Sequence, residues 1–350
     1  LRAARRSDRI TVYDGDLSGV TIDHFERPIS PSRIEAWPAC PHGYFVRHVL
    51  GVRPLEEPDD EYGLSALEQG NVVHETLDRF HRLVIADELP QPGPEGWGEG
   101  HTRELLRLYD EVADEFERTG RTGRPAPWFL ARRSVLHELL NWFIRDGRTA
   151  AARGARVIES ELRFGYDSPV TLPLPDGREL AVAGFVDRID ECTDGGLVVM
   201  DHKSGRADRF KKIDAADPTE GGTKFQLPVY AAAALSRRGE RARTSTTPVR
   251  AEYDFFERGR YERYGYTLDE AVWARVSDDL GHVVDGIESG LYPAVTEPPK
   301  YQHFVDCWYC QPDGLGVDER YREWSAKQHD PRVAPWFADP DEQGEHADGT

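Results

Sequence analysis

The spacing of apolar residues divides the chain into a helical first part and a strand-rich second part. Helices are predicted over 30–52 (in two pieces), 63–89, about 101–118, about 130–150, 224–238 and about 269–289. Alternating and β-branched residues predict strands over 156–166, 179–192 and 196–205, followed by a hairpin over 248–268 that turns at 257–260. Helices first, then a mixed core with a helix after three strands, predict a mixed α/β fold.

One predicted hairpin, GFVDRIDECTDGGLVVMDHKSG (184–205), carries charge where strands usually bury apolar side chains. Strand side chains alternate, so Asp201 and Lys203 share one face while His202 points away. Asp187 then falls roughly opposite Asp201 or Lys203, on the same face. Two carboxylates at about 5 Å repel each other, and a divalent cation such as Mg²⁺ or Mn²⁺ removes that penalty. The alternative is a salt-bridged surface ladder.

Composition and charge exclude several classes of protein. With 350 residues, 39% hydrophobic and 31% charged, the chain is typical of a soluble globular protein with one large or two modest domains. No apolar run approaches about 18 residues, and the N-terminus has no signal-peptide pattern. We therefore expect a cytoplasmic protein without a membrane segment. The net charge of −19 means that any nucleic-acid contact needs a local basic patch, a metal or a partner.

Five motifs together carry a family resemblance. Asp187, thirteen residues and Asp201-x-Lys203 resemble the core motif of PD-(D/E)xK nucleases. Four further segments resemble, in the same order, the RecB/AddB-type nuclease domain that is fused to helicases in bacterial double-strand-break repair. They are SPSRIEAWPACPHGYFVRHVLGV, GNVVHETLDRF, KFQLPVYAAA and CWYCQPDGLGVDER, spread over about 30–325. The resemblance implies a restriction-endonuclease-like core, with a central mixed β-sheet flanked by helices and preceded by a helical part.

The resemblance also implies roles for the acidic and histidine motifs. His74 would join Asp187 and Asp201 as a metal ligand, with a main-chain carbonyl near His202 as a further ligand. Lys203 would stabilise charge on a phosphate or orient the attacking water. A structural helix histidine is the alternative for His74.

A glutamate precedes the hairpin on the preceding strand. Glu161 resembles the family's upstream acidic position, which implies an acid beside the ligands or a ligand of a second metal. Glu159 has the same strand parity and competes with it for this role. A solvated strand glutamate is the alternative.

Two further groups of residues follow the hairpin. Gln226 and Tyr230 match the family's QxxxY motif and lie on one helix face, which implies that Gln226 contacts the metal-bound water or DNA and that Tyr230 packs beside it. Their alternative is an ordinary amphipathic helix. A basic segment that comes directly after Lys203 is a candidate phosphate clamp, with a solvated loop as the alternative; its members are Arg206, Arg209, Lys211 and Lys212.

The four cysteines are too few for a disulfide scaffold in a chain of this length. The family holds a 4Fe–4S cluster with one early and three late cysteines. Cys40, Cys307 and Cys310 occupy three of those places, but Gly316 stands where the fourth belongs, and Cys192 is a poor substitute. Three hypotheses stay open. They are a cluster with an outside ligand such as Asp313, Asp318 or water, a zinc ion held with His42, or cysteines that bind no metal.

The function that these patterns predict is a metal-dependent DNA nuclease of the exonuclease type. The resemblance implies hydrolysis of single-stranded DNA threaded from a helicase partner, in double-strand-break repair or recombination. Residues 1–29 are expected to be an arm or linker from a preceding helicase region. A nuclease domain is expected over 30–325, helical over 30–155 with its core over 156–325, and an acidic, disordered tail over 326–350.

Three rival functions belong to other classes. The first is a catalytically silent DNA-binding scaffold, against which the complete set of Asp187, Asp201 and Lys203 counts. The second is a free-standing exonuclease of the related CRISPR-adaptation type, which normally has four cysteines and a shorter chain. The third is a zinc-binding interaction module, which predicts zinc content without cleavage.

Overall fold

The structure, a computed structural model, describes residues 2–53, 66–122, 125–242, 244–256, 261–296 and 319–337. These residues form two compact units. The first unit contains residues 2–53, 174–178, 277–296 and 319–337. The second contains residues 66–122, 125–173, 179–242, 244–256 and 261–276. The sheet and most of the candidate site residues belong to the second unit.

A five-stranded mixed sheet forms the centre of the second unit. The strands of this unit are β1 (Arg156–Phe164), β2 (Val170–Pro173), β3 (Glu179–Val182), β4 (Gly184–Glu191), β5 (Leu197–Lys203), β6 (Val249–Phe255) and β7 (Arg263–Leu268). The order in the large sheet is β1-β4-β5-β6-β7. Strands β5 and β6 are parallel, and the other neighbours are antiparallel. Strands β2 and β3 form a separate antiparallel pair.

Strand β5 lies in the middle of the sheet because its sequence is apolar on both faces. All four residues from Leu197 to Met200 are buried, as a strand covered on both faces requires. Its turn from β4 contains Gly195 at φ 83°, a left-handed conformation that glycine adopts without steric cost. The predicted hairpin is therefore confirmed.

Helices flank the sheet. They are α4 (Ala66–Ile85), α5 (Glu99–Arg118), α6 (Pro125–Arg153) and α7 (Gln226–Arg237), with a 3₁₀ turn at Ala207–Phe210. Helices α4 to α6 share an aromatic core in which the Phe80 ring lies edge-on to Trp97 and Phe143, at centroid distances of 5.2 and 5.1 Å. Helix α7 contacts β4, β5 and β6, and its alanine run is buried. The predicted mixed α/β fold is confirmed.

The first unit is mostly helical. It contains α1 (Arg2–Arg5), α2 (Pro31–Ala39), α3 (Pro41–Tyr44), a π-helical turn (Phe45–Val49), the part of α8 (Glu270–Glu288) from residue 277 on, α9 (Glu319–Ser325) and α10 (Ala334–Phe337). The Lys327 ammonium is buried and donates to the carbonyl oxygens of Ser7 and Arg9, at 2.6 and 3.0 Å. Asp330 accepts the N–H of Ile10 at 2.8 Å. Parts of the stretches expected to be an arm and a tail thus contact each other.

Most predicted elements are confirmed, and the differences have local causes. The strand predicted over 179–192 is two strands, because β3 pairs with β2 while β4 enters the large sheet. Strand β2 and helices α9 and α10 were not predicted, since elements this short show little periodicity. The turn at 257–260 lies outside the described residues. No helix in the described part of the chain is both long and apolar enough to span a membrane.

Candidate active site

The candidate site begins where strands β4 and β5 separate. Their pairing ends at Arg188↔Met200, and continuing this register would place Asp187 opposite Asp201. Instead of a backbone pair, Asp187 Oδ2 accepts the N–H of His202 at 2.7 Å. The carboxylate of β4 thus takes the place of a ladder hydrogen bond, which fixes it beside β5.

Strand β5 brings an aspartate and a lysine to the same face. Asp201 is 3% exposed, and its Oδ2 lies 2.5 Å from Lys203 Nζ. The ammonium also lies 5.5 Å from the ring centroid of Tyr253 on β6. A carboxylate and a ring face on either side hold the lysine in one place.

Helix α4 supplies the histidine. His74 Nε2 lies 3.1 Å from the carbonyl oxygen of His202, the main-chain group expected there from the resemblance. His74 Nδ1 lies 3.7 Å from carboxylate oxygens of both Glu161 and Asp187. The imidazole is thereby in contact with both strands, β1 and β4, and with the backbone of β5.

Glu161 has an unusual backbone for a strand residue. Its φ is 46°, a left-handed conformation that is costly for a residue with a side chain. Strain of this kind clusters at functional sites, and here it accompanies a carboxylate that faces His74. The competing glutamate, Glu159, instead accepts a hydrogen bond from Arg237 Nε at 2.7 Å. Of the two acids, only Glu161 joins the cluster around His74.

The electrostatics of the cluster show an excess of negative charge. Burial and the charge of Asp201 raise the pKa of Asp187 to about 7. Burial lowers the pKa of His74. The attraction of its ring to Glu161 and the charges of Asp187 and Asp201 outweigh burial and raise that pKa to about 9. A protonated His74 therefore compensates the carboxylates in this structure.

Among the described residues, donor atoms of His74, Glu161 and Asp187 all lie within 4.8 Å of one another. Asp201 is outside this set, because its Oδ2 is engaged by Lys203. Carboxylate oxygens and an imidazole nitrogen are suitable ligands for a divalent cation. A cation would also relieve the repulsion that raises the pKa of Asp187. On both counts the residues present fit a divalent metal ion.

The opposite face of β4 carries a buried ion network that the sequence analysis missed. The Arg188 guanidinium is fully buried and donates to both oxygens of Asp190 at 2.7 Å and to Asp146 Oδ2 at 2.8 Å. Asp146 also accepts hydrogen bonds from Trp97 Nε1 and Arg263 Nη2, both at 3.0 Å. Alternation along β4 thus puts Asp187 on one face and Arg188 on the other.

The remaining predicted residues lie on α7 and the loop before it. Gln226 is half-buried at the first residue of α7, and the buried Tyr230 packs edge-on against Phe164 of β1 at 6.2 Å. All four basic residues of the candidate clamp are exposed, and Lys211 pairs with Asp208 at 2.6 Å; the four are Arg206, Arg209, Lys211 and Lys212.

The candidate cysteine site is only partly visible. Cys40 lies at the junction of α2 and α3, where its Sγ accepts the N–H of Gly43 at 3.4 Å. Cys307 and Cys310 lie outside the described residues. The cluster, zinc and metal-free hypotheses therefore all stay predictions.

The comparison with protein families identifies the class. The model of the PD-(D/E)XK nuclease superfamily matches residues 28–313. This match covers more than half of the chain, so the chain belongs to the PD-(D/E)XK nuclease superfamily. Nucleases of this superfamily use divalent metals, in agreement with the donor set around His74.

Curated relatives narrow the comparison, and those compared here are named as subunits of an ATP-dependent helicase/deoxyribonuclease. The chain is 33% identical over 222 residues to such a subunit from Heliobacterium modesticaldum, covering 61% of this chain and 17% of the relative. It is 25% identical over 222 residues to the protein of the same name from Clostridioides difficile, covering 59% and 17%. The chain thus spans about a sixth of the length of these relatives. The crystal structure of SSO0001 matches 60% of this chain and 72% of its own at 13% identity, but its TM-score of 0.23 supports no conclusion.

Proposed function

We propose that the chain is a Mg²⁺- or Mn²⁺-dependent deoxyribonuclease that hydrolyses phosphodiester bonds. The observation that supports it best is the set His74, Glu161 and Asp187 within 4.8 Å, next to Lys203 held by Asp201 at 2.5 Å. A non-catalytic scaffold has no need to keep two buried acids beside an ammonium, because unpaired buried charge is costly.

The side chains divide the work. His74, Asp187 and Asp201, with the carbonyl oxygen of His202, are the proposed ligands, and Glu161 is an acid beside them. The bound cation would supply Lewis-acid activation of a water molecule and of the phosphate. The Lys203 ammonium stabilises the negative charge that develops on the phosphate oxygens, and Asp201 keeps it in place.

Two further groups of residues complete the proposed site on the α7 side. Gln226 would contact the metal-bound water or the DNA strand, and Tyr230 would support it by packing on Phe164. The four exposed basic residues between β5 and α7 would bind backbone phosphates next to the lysine. Such a local patch is required because the net charge of the chain is −19, which repels DNA elsewhere.

The substrate and partner follow from the relatives. Since the similar proteins are called helicase/deoxyribonuclease subunits, we propose that this chain cuts single-stranded DNA ends produced by a helicase. The setting would be double-strand-break repair or recombination in the cytoplasm.

Cleavage of linear single-stranded DNA with Mg²⁺ or Mn²⁺ tests the proposal. Wild type should cut, Asp201→Ala should lose about 10²-fold or more, and Asp214→Ala should cut normally because Asp214 is an exposed loop aspartate that caps the N–H of Ala216. Glu161→Gln and Glu159→Gln form a second matched pair, of which only the first should lose activity. If the wild type does not cut with either metal, with or without a helicase partner, the scaffold hypothesis replaces this one.

A further inference from the structure

Two aromatic side chains are exposed close to the candidate active site. Tyr166 is 54% exposed and Phe185 is 48% exposed, and their ring centroids lie 6.3 Å apart. The Arg163 guanidinium lies over the Tyr166 ring at 4.2 Å. Aromatic rings are large apolar surfaces that proteins usually bury, so a pair left in solvent beside a cluster of acids needs a reason.

The register of the sheet places this pair on the same face as the acids. Phe185 and Asp187 are two residues apart on β4, and Arg163 pairs with Phe185 across to β1. Residues i and i+2 of a strand point the same way, about 6.8 Å apart. That spacing equals two steps of a stacked nucleic-acid strand at ~3.4 Å each. Tyr166 follows β1, the edge strand of the sheet, so neither ring has a neighbouring strand over it.

A single cavity joins Phe185 to the acids. It has a volume of about 410 Å³, and Phe185, Glu161 and His74 all line it. Two arginines of its wall are already paired, Arg82 with Asp78 and Arg121 with Glu68, both at 2.9 Å. Arg163 is likewise paired with Asp167 at 2.6 Å. Since these guanidinium groups have carboxylate partners, the new chemistry that the cavity offers at Phe185 is an exposed ring face.

We propose that Phe185 and Tyr166 form a stacking platform for an unpaired nucleobase of the strand that enters the active site. This inference rests on the proposed nuclease function. A base presents a flat apolar face and can stack on an aromatic ring whatever its identity. A base inside a duplex has both faces covered by its neighbours, so the platform selects single-stranded DNA. Arg163 keeps the Tyr166 ring in place from its other side.

Two DNA probes separate stacking from phosphate binding. One is a fluorescein-labelled oligothymidylate of about 12 nucleotides. The other has the same length and phosphates but abasic sugars throughout. Anisotropy is measured on the full chain in EDTA, where no cleavage occurs, for Phe185→Ala, Tyr166→Ala, Phe185→Tyr and the control Phe129→Ala. Phe129 is 62% exposed and does not line the cavity.

The expected result is that Phe185→Ala binds the thymidine probe about 5- to 150-fold more weakly and binds the abasic probe unchanged. Tyr166→Ala should behave in the same way, Phe185→Tyr should restore binding, and Phe129→Ala should match wild type. The platform is refuted if wild type binds and cuts DNA while Phe185→Ala and Tyr166→Ala weaken both probes equally or neither. Wild type that neither binds the probes nor cuts with metal would instead overturn the nuclease proposal itself.

Discussion

Removing the buried arginine behind the active site should unfold the second unit much more easily. Arg188 makes three hydrogen bonds of 2.7–2.8 Å to two carboxylates in a fully buried position. Arg188→Met keeps the length of the side chain and removes the charge. Asp190 is then left buried without its partner, because Arg188 is the residue that donates to both of its oxygens.

The magnitude follows from the cost of a broken buried pair, about 3–5 kcal/mol. Native proteins have only about 5–15 kcal/mol of unfolding free energy, so this loss is a large fraction. At an m-value of about 3 kcal/mol per molar urea, the midpoint of urea unfolding should fall by about 1–2 M. Circular dichroism of the α/β core measures that midpoint.

A double variant isolates the cause. Arg188→Met with Asp190→Leu removes one charge of each sign and leaves Asp146 with its hydrogen bonds from Trp97 and Arg263. Replacing a whole buried pair by apolar side chains is often nearly neutral, so the double variant should regain most of the lost stability. A double variant as unstable as Arg188→Met would show that packing volume, rather than an uncompensated charge, causes the loss.

Two further predictions concern the acidic face. Because His74 has a pKa of about 9 and must lose its proton to bind a metal ion, Mn²⁺ affinity should rise about tenfold per pH unit from pH 7 towards 9; calorimetry in buffers of different ionisation heat should show proton release, and an affinity independent of pH would contradict this. Glu161→Gly should relieve the left-handed strain, worth about 1–2 kcal/mol, and so raise or preserve the melting temperature while lowering cleavage. Glu159→Gly, which loses its pair with Arg237, should lower the melting temperature, and equal effects of the two changes would refute the strain argument.

The sequence analysis was most successful where local patterns decide the structure. Strand alternation put Asp201 and Lys203 on one face, and Gly195 ends the strand at a turn that only a few residues permit. The register between β4 and β5 follows from those two facts. The parallel neighbour of β5 was not predicted, because the partner of a crossover connection is selected by long-range packing.

Three features of the site have no signal in the sequence. Charged residues at alternate positions of a strand usually indicate a solvated face, so Arg188 and Asp190 gave no indication that they are buried together. A left-handed glutamate has no compositional signature, because this conformation favours Gly, Asn and Asp. The exposure of Phe185 depends on β1 being an edge strand, which only the sheet order shows.

The two faces of β4 explain why the acids can stay close together without a metal ion. Asp187 is held by a backbone N–H from β5, and the adjacent Arg188 is anchored on the other face by two carboxylates. A strand fixed on both sides cannot rotate or slide to separate Asp187 from its neighbours, so the repulsion appears as a raised pKa rather than as a change of structure. The site is therefore arranged before a cation binds, and binding energy is not spent on ordering the ligands.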